Sequence, residues 1–277
     1  MHVLRDLSRN GGTQRIVFDL LTHNKNAHQM SVLVTCIDQD PDYIDELRDA
    51  GVEVLIVSKF NIFKLWNIFR CYDIVHAHLF PALYLVCLLA SKKVYTEHCT
   101  ENNRRSLYWA KIYESIIYKR YDAITCISPE VKSTLLQFLE WPDNGLTSVV
   151  YNGINLKRFI FGSPHNIYKS TYNIGMVGSF SVYKDQDTII RAIPKLNSNV
   201  VLHLVGEGIR KDILIKLAIE CGVQDRVIFH GIIRDIPVFL STLDLYIQSS
   251  NVEGFGLAAI EGMAALLPTL CSNVPGL

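Results

Sequence analysis

The chain has no apolar run long enough to cross a bilayer: the longest uncharged apolar stretch, residues 79–90, stops at 12 residues where a spanning helix needs about 20. No signal peptide opens it, so the cytoplasm is the default compartment. Charge is sparse, at 19% of residues, and sums to zero, which removes any expectation of nucleic-acid binding. The seven cysteines (Cys36, Cys71, Cys87, Cys99, Cys126, Cys221, Cys271) are odd in number, scattered and never spaced C-x-x-C. That argues against a disulfide framework and against zinc, and most of them read as small buried hydrophobes. What the chain has in quantity is apolar residues, 49% of 277, enough for two well-covered cores.

Short β-rich runs alternate with longer helical ones throughout. Strands are predicted at 1–4, 31–37, 52–57, 74–77, 93–96, 123–127 and 147–150, with helices between them at 13–23, 42–50, 63–70, 81–90, 106–120 and 129–139. A polar interval, 152–173, carries Gly153, Gly162, Pro164 and several Asn and reads as a linker. The alternation then restarts, with strands at 174–177, 200–205, 227–230 and 243–248 and helices at 185–196, 209–221, 236–241 and 257–267. Strand–helix alternation at this spacing implies parallel sheets with helices on both faces. The expected architecture is α/β, with two doubly wound Rossmann-like domains at 1–155 and 173–277 and a linker at 156–172. Ligands of such sheets bind at the carboxyl ends of strands, and two such edges are expected to face one another across a cleft.

The charge is unevenly spread. Between Ser91 and Arg120 stand seven basic residues (Lys92, Lys93, Arg104, Arg105, Lys111, Lys119, Arg120) against Glu97, Glu101 and Glu114, interleaved with Tyr95, Tyr108, Trp109, Tyr113 and Tyr118. Contact with anionic lipid headgroups fits this pattern, and is kept second to a solvated helix face with core aromatics.

The most informative segment is Glu253-Gly254-Phe255-Gly256-Leu257, with Glu261 eight positions after the first carboxylate and Pro268 beyond. It lies between a predicted strand and an Ala-rich predicted helix. Gly254 and Gly256 remove Cβ atoms where backbone amides must approach a ligand, and the helix that follows begins with unpaired N–H groups and a positive dipole end. Phosphate is favoured there. Glu261, about one turn into the helix, is placed to accept hydrogen bonds from a vicinal diol such as ribose, and Glu253 to face a transferred sugar.

Other strand-end loops carry weaker signals. Gly11-Gly12 follows the first strand, where backbone amides can meet a phosphate or an acceptor, although a turn needs glycine anyway. Gly206-Glu207-Gly208 is not G-x-G-x-x-G, because Lys211 stands where the third glycine belongs, so a nicotinamide dehydrogenase is not supported. Lys184 follows Gly178 by six residues, near enough to neutralise a departing diphosphate. His76 and His78 form an H-x-H pair on one side of a strand, a pair that a metal can share, but no third ligand stands at metal spacing. His98, in Thr96-Glu97-His98-Cys99, projects from a strand end and is the better functional candidate beside a core or loop reading.

Taken in order, Gly11-Gly12-Thr13-Gln14-Arg15, Asp73-Ile74-Val75-His76-Ala77-His78, Thr96-Glu97-His98, Ile127-Ser128-Pro129, Asn152-Gly153-Ile154, Val177-Gly178-Ser179-Phe180 with Lys184, Leu204-Val205-Gly206-Glu207-Gly208, residues 225–231 and the final E-x7-E string resemble the retaining glycosyltransferases of the GT-B fold. The resemblance is to the large family 4 group that builds bacterial surface polysaccharides, and it covers essentially the whole chain. It implies that the C-terminal domain binds a nucleotide sugar and the N-terminal domain the acceptor. By the same resemblance Lys184 matches the diphosphate lysine, Glu261 the ribose glutamate and Glu253 the acid that contacts the donor sugar. Gly254, Phe255, Gly256 and Leu257 match the turn whose amides approach sugar and phosphate. His98 matches a histidine near the transferred sugar, and Gly12 the loop position near donor phosphate and acceptor. Catalytic roles thus fall to His98 and Glu253.

The implied reaction is transfer of a hexose or N-acetylhexosamine from a UDP-sugar to a lipid-linked or polysaccharide acceptor, by front-face displacement, with no metal and no cofactor beyond the donor. Peripheral contact with the inner face of an anionic membrane goes with it, and no nucleic-acid partner does. Acceptor choice is assigned to loops around 61–66 and 102–108. Two departures stand out. Ser179 occupies a position where the family usually has an arginine beside the phosphates, and family members continue past a point corresponding to Leu277, so the second domain is expected to be incomplete at its C-terminus. The alternatives are an inactive, truncated glycosyltransferase remnant and a GT-B sugar-nucleotide epimerase.

Overall fold

The computed structural model describes residues 1–9, 11–23, 29–37, 42–100, 104–105, 107–159 and 170–277, with Tyr108 and Trp109 described at the backbone only. Of the sequence expectations, most of the linker and part of the 102–108 loop lie outside these residues. The chain divides into two compact units, Met1–Gly153 and Ile154–Leu277.

The first unit runs β1 (His2–Leu4), α1 (Gly12–His23), β2 (Ser31–Val34), α2 (Ile44–Asp49), β3 (Glu53–Ile56), α3 (Ile62–Phe69), β4 (Val75–His78), α4 (Ala82–Leu89), β5 (Lys93–Glu97), α5 (Tyr108–Tyr118), β6 (Ala123–Cys126), α6 (Pro129–Leu139) and β7 (Thr147–Val149). All seven strands are parallel, in the order β3-β2-β1-β4-β5-β6-β7. Helices on both faces leave the inner strands without a wet side, which is why β2 is buried at every residue of Ser-Val-Leu-Val. Caps fix the helix starts. The Ser128 hydroxyl accepts from the Val131 amide at 3.2 Å with Pro129 in the first turn, and Asn61 Oδ1 accepts from the Lys64 amide at 3.2 Å.

The second unit runs β8 (Tyr172–Val177), α7 (Gln186–Ala192), β9 (Val200–Val205), α8 (Lys211–Glu220), β10 (Val227–Gly231), α9 (Ile236–Ser241), β11 (Leu245–Gln248), α10 (Leu257–Ala264) and β12 (Thr269–Cys271). Its strands are again parallel, in the order β10-β9-β8-β11-β12. Ile154 and Phe159 pack into the core of this unit with Val205, Phe239, Leu240, Leu243 and Tyr246. Beyond the strands read from the sequence, β12 adds a fifth, paired to β11. The single helix expected at 185–196 is α7 followed by a 3-10 turn, Ile193–Lys195, because Pro194 has no N–H to continue the α ladder. In α10 a Cβ at Gly262 would lie 2.7 Å from Cγ of Tyr246, so glycine is what lets this helix rest on β11.

In each sheet the strand order reverses once, between β1 and β4 and between β8 and β11. Outside the carboxyl ends of those strands an open α/β sheet forms its ligand crevice.

Candidate functional site

At the β8–β11 reversal two strand-end loops meet. From β8 the chain passes Gly178 and Ser179 to Lys184, and from β11 it passes Ser249 and Ser250 to Glu253. Lys184 Nζ is ion-paired to Glu253 Oε1, and the aliphatic part of Lys184 lies over Gly178, in van der Waals reach of where a Cβ would be. The same Glu253 oxygen accepts from Gln248 Nε2 at 3.0 Å and from Ser250 Oγ at 2.8 Å. Gln248 in turn accepts from the buried Tyr246 hydroxyl at 2.7 Å. A carboxylate with three donors on one oxygen is pinned, and its charge is held next to the lysine.

The two loops are also tied through their backbones. Ser249 Oγ donates to the carbonyls of Lys184 and Asp185 at 3.1 and 2.7 Å, and the Asn251 amide donates to Tyr183 O at 2.8 Å. Asp185 itself is held at φ 48°, an uncommon conformation for a residue with a side chain and one that collects at functional loops. Behind the turn, Ser272 Oγ donates to Ser250 O at 2.5 Å, and a Cβ on Gly276 would lie 2.4 Å from Glu253 O. Residues 272–277 therefore brace the glutamate turn from behind. Gly256 adopts φ 65° as the residue before α10, and Glu261 sits one turn inside that helix. Gly254, Phe255 and Leu257 complete the turn.

Gly206-Glu207-Gly208, at the end of β9, has a packing role: at Gly206 a Cβ would stand 2.1 Å from Gly178 O, and the Phe180 amide donates to Glu207 O at 2.9 Å. The pair of glycines lets the β9 loop lie against the loop that carries Lys184. Ser179 O accepts from Gln186 Nε2 at 3.0 Å, and the cation nearest in sequence on the β9 loop, Arg210, is bound to Asp187 at 2.6 Å.

In the first unit the β1–β4 reversal holds histidines. His98 is buried just past β5, at 8% exposure, in a turn anchored by its neighbour Glu97. Glu97 Oε2 accepts from the Tyr118 hydroxyl at 2.7 Å and pairs with Arg105 at 3.2 Å, while Oε1 accepts from the Cys99 amide at 3.3 Å. His98 Nε2 is 3.0 Å from His78 Nδ1. The H-x-H pair gains a third imidazole from β1: nitrogens of His2, His76 and His78 lie within 4.8 Å of one another, which corrects the reading that no third ligand stands near. Sequence spacing hides it because His2 reaches His76 by strand pairing, 74 positions away in the chain, rather than by a local motif. Gly12 opens α1, and Asp6 Oδ1, before it, accepts from the Ser8 amide at 3.1 Å and from Gln14 Nε2 of α1 at 3.0 Å.

The glycosyltransferase family 4 profile matches residues 10–158, more than half of the chain, and the profile of the glycosyl transferases group 1 matches residues 159–277. The chain belongs to glycosyltransferase family 4. The O-antigen biosynthesis glycosyltransferase WclY of Escherichia coli is 23% identical over 95% of this chain and 77% of its own length. The uncharacterized glycosyltransferase MJ1607 of Methanocaldococcus jannaschii is 27% identical over 95% of this chain and 78% of its own. In fold, the chain matches Anabaena Alr3699/HepE, crystallised in complex with UDP-glucose, with a TM-score of 0.83 at 20% identity, covering 100% of this chain and 81% of that one. Two parallel-sheet α/β domains of this kind are the GT-B fold.

For this family 4 glycosyltransferase the basic stretch 91–120 turns out to spend much of its charge internally. Arg104 pairs with the fully buried Glu114 at 2.5 Å, Arg105 with Glu97, and Lys111 with Glu140, while Tyr95 and Tyr118 are core residues. Gln248, Ser250 and His2 are the polar site residues that the sequence reading did not single out. His2 and Gln248 are polar residues within apolar strands and Ser250 follows β11 by two positions, and that is the signal each offered. No helix among the described residues is long and apolar enough to cross a membrane.

Proposed function

We propose that the protein is a retaining glycosyltransferase that moves a hexose or N-acetylhexosamine from a nucleotide sugar, UDP-linked, to a lipid-linked or polysaccharide acceptor in bacterial surface polysaccharide synthesis, on the cytoplasmic side. The observation that carries this reading is the Lys184–Glu253 pair at the β8–β11 reversal, beside the glycine turn that opens α10. In such a transfer the bond from the anomeric carbon to the diphosphate oxygen breaks and the bond to the acceptor oxygen forms on the same face. The acceptor's proton passes to the departing diphosphate.

Lys184 supplies the positive charge that balances the leaving group as its charge develops. Glu253 accepts from sugar hydroxyls, the amides of 254–257 and the α10 dipole favour the phosphates, and Glu261 accepts from the ribose diol. From the first unit, this reading assigns His98 to the sugar and Gly12 to the phosphate and acceptor. The UDP-glucose complex of HepE and the role of WclY in O-antigen biosynthesis support the donor and the pathway.

A panel of UDP- and GDP-sugars, read by nucleotide release and by saturation-transfer signals, tests the proposal. UDP-sugars are expected to bind, and Glu261→Ala to weaken that binding by about tenfold, the worth of one hydrogen bond to a carboxylate. Silence across the panel defeats the proposal, and an altered sugar released without any acceptor reassigns the protein as an epimerase.

We further propose that the enzyme docks on anionic membrane through α3. Phe60 and Phe63 are each 83% exposed, Ile62 and Trp66 are exposed beside them, and Leu65 and Phe69 hold the opposite face in the core. Lys59, Lys64 and Arg70 flank these rings, and no acidic residue occurs from Val54 to Tyr72. Exposed aromatic rings among cations alone match a lipid surface of negative charge, and that surface is also where a lipid-linked acceptor would reside.

A further inference from the structure

Four histidines of the first unit meet at the β1–β4 reversal, and the proposed function uses one of them. Parallel pairing sets His2 beside His76, the period of two puts His78 on the same side of β4 as His76, and His98 follows the adjacent strand. All four are held neutral by burial: His2 and His98 are depressed to about 3, His76 to about 4, and His78 well below the ordinary 6.5. A neutral imidazole has one N–H and one lone pair, so the hydrogen bonds among them restrict where the protons sit.

His76 is fixed apart from the others. Thr125 Oγ1 donates to Tyr95 O at 3.4 Å and so accepts from Thr96 Oγ1 at 2.7 Å, which leaves Thr96 to accept from His76 Nε2–H at 2.6 Å. The remaining three form a single file. His2 Nδ1 is 3.0 Å from His78 Nε2, and His78 Nδ1 is 3.0 Å from His98 Nε2.

With one proton each, only two arrangements satisfy both bonds. In the first, His98 Nε2–H donates to His78 Nδ1 and His78 Nε2–H donates to His2 Nδ1, so His98 Nδ1 is a lone pair and His2 Nε2 carries a proton. In the second every proton is reversed, and His98 Nδ1 carries the N–H. Either way the two ends are opposite in kind. His98 Nδ1, at one end of the file, is buried and has no hydrogen-bond partner among the described residues.

We propose that His2 and His78 are positioning residues that fix the tautomer of His98, and with it whether Nδ1 donates to or accepts from a hydroxyl of the transferred sugar. This rests on the reading of His98 as a residue that faces that sugar. A resident dication fits the cluster less well. Of the three imidazoles whose nitrogens come within 4.8 Å, His2 and His78 already share one proton between Nδ1 and Nε2 at 3.0 Å.

Protein labelled with 15N-histidine gives the test. Two-bond 15N–1H spectra assign each tautomer, and N–N couplings across hydrogen bonds identify the linked pairs. The expected result is coupling for His2–His78 and His78–His98, one tautomer at each ring, and opposite protonation at His98 Nδ1 and His2 Nε2. His2→Leu should leave His98 averaging between tautomers and lower kcat by about tenfold with donor KM little changed, as for other partners that orient a working histidine. His2→Asn, whose amide stands near the place of Nδ1, should restore a single tautomer and most of the rate.

Missing couplings in the wild type, an unaltered His98 tautomer in His2→Leu, or stoichiometric metal in the purified protein would each overturn the proposal. Couplings present alongside full activity in His98→Ala would instead overturn the sugar-facing reading of His98, and the positioning role with it.

Discussion

Gly206 and Gly222 both stand in the second unit at positive φ, 142° and 66°, and they separate two reasons for glycine. At Gly222, just after α8, a Cβ would meet nothing within 4 Å, so alanine there carries only the left-handed backbone penalty of about 1 kcal/mol. At Gly206 the same Cβ would stand 2.1 Å from Gly178 O, adding an overlap with backbone that cannot yield cheaply. Gly206→Ala is therefore expected to lose about 3 kcal/mol or more in urea unfolding, with an unchanged m value. It should also weaken UDP-sugar binding, since Gly178 leads to Lys184, whereas Gly222→Ala should leave binding intact. Equal losses in the two variants would refute the packing role given to Gly206.

This scale is also where the sequence was most and least readable. Glu253, Glu261 and Lys184 could be singled out because glycines and spacing mark a strand-to-helix turn. His2 could not, because its partners are set by strand register 74 or more positions away, and Gln248 and Ser250 could not, because their bonds to Glu253 depend on how the loop after β11 folds back on itself.

At the scale of elements, the alternation of apolar runs revealed nearly every strand and helix, because parallel strands buried on both faces are continuous apolar runs. The exceptions have local causes. The three residues of β12 follow Pro268 and are too few to form a run, and Pro194 breaks the helix expected at 185–196. For membrane contact, pattern pointed to 91–120, where Arg104, Arg105 and Lys111 are ion-paired and Tyr95 and Tyr118 are core residues. Segment 59–70 has fewer charges but leaves its rings exposed.

That difference gives a direct comparison. Phe60→Ser combined with Phe63→Ser removes two rings, each worth about 1.5–3 kcal/mol when buried in an apolar medium, so partitioning onto vesicles rich in phosphatidylglycerol should fall by at least about 100-fold. Added salt should weaken wild-type binding, since each lysine or arginine near the surface contributes about 1 kcal/mol. Ile112→Ser combined with Ile116→Ser, on α5, should bind like wild type. Wild-type protein that ignores the vesicles, or a Phe60/Phe63 variant that binds undiminished, would remove α3 as the docking element.

For the whole molecule, the buried histidines make the two units differ in their response to acid. His2, His76, His78 and His98 all belong to the first unit, and all are depressed below 6.5 chiefly by loss of hydration. The native state therefore resists protons that the unfolded chain takes up. Stability is complete above about pH 6.5 and falls as pH drops through the window toward 4 and 3, at up to about 1.4 kcal/mol per pH unit for each histidine. Four such groups remove on the order of 5 kcal/mol per unit near pH 5, comparable to the whole stability of a domain.

In the second unit His203 is shifted in the same direction but is only half-buried, so its loss is smaller. The three tryptophans, Trp66, Trp109 and Trp141, lie in the first unit, so their fluorescence follows that unit alone. Urea titrations at about pH 7.5 and about pH 5 should show the tryptophan midpoint dropping sharply, with a second, tryptophan-silent transition that moves less and rises with UDP-sugar. His76→Gln, which keeps a donor toward Thr96 while removing one titrating group, should flatten the tryptophan pH slope by about one proton. A tryptophan midpoint that does not move between the two pH values would mean that these imidazoles are not held neutral by burial, and the proton count behind the His2–His78–His98 file would fall with it.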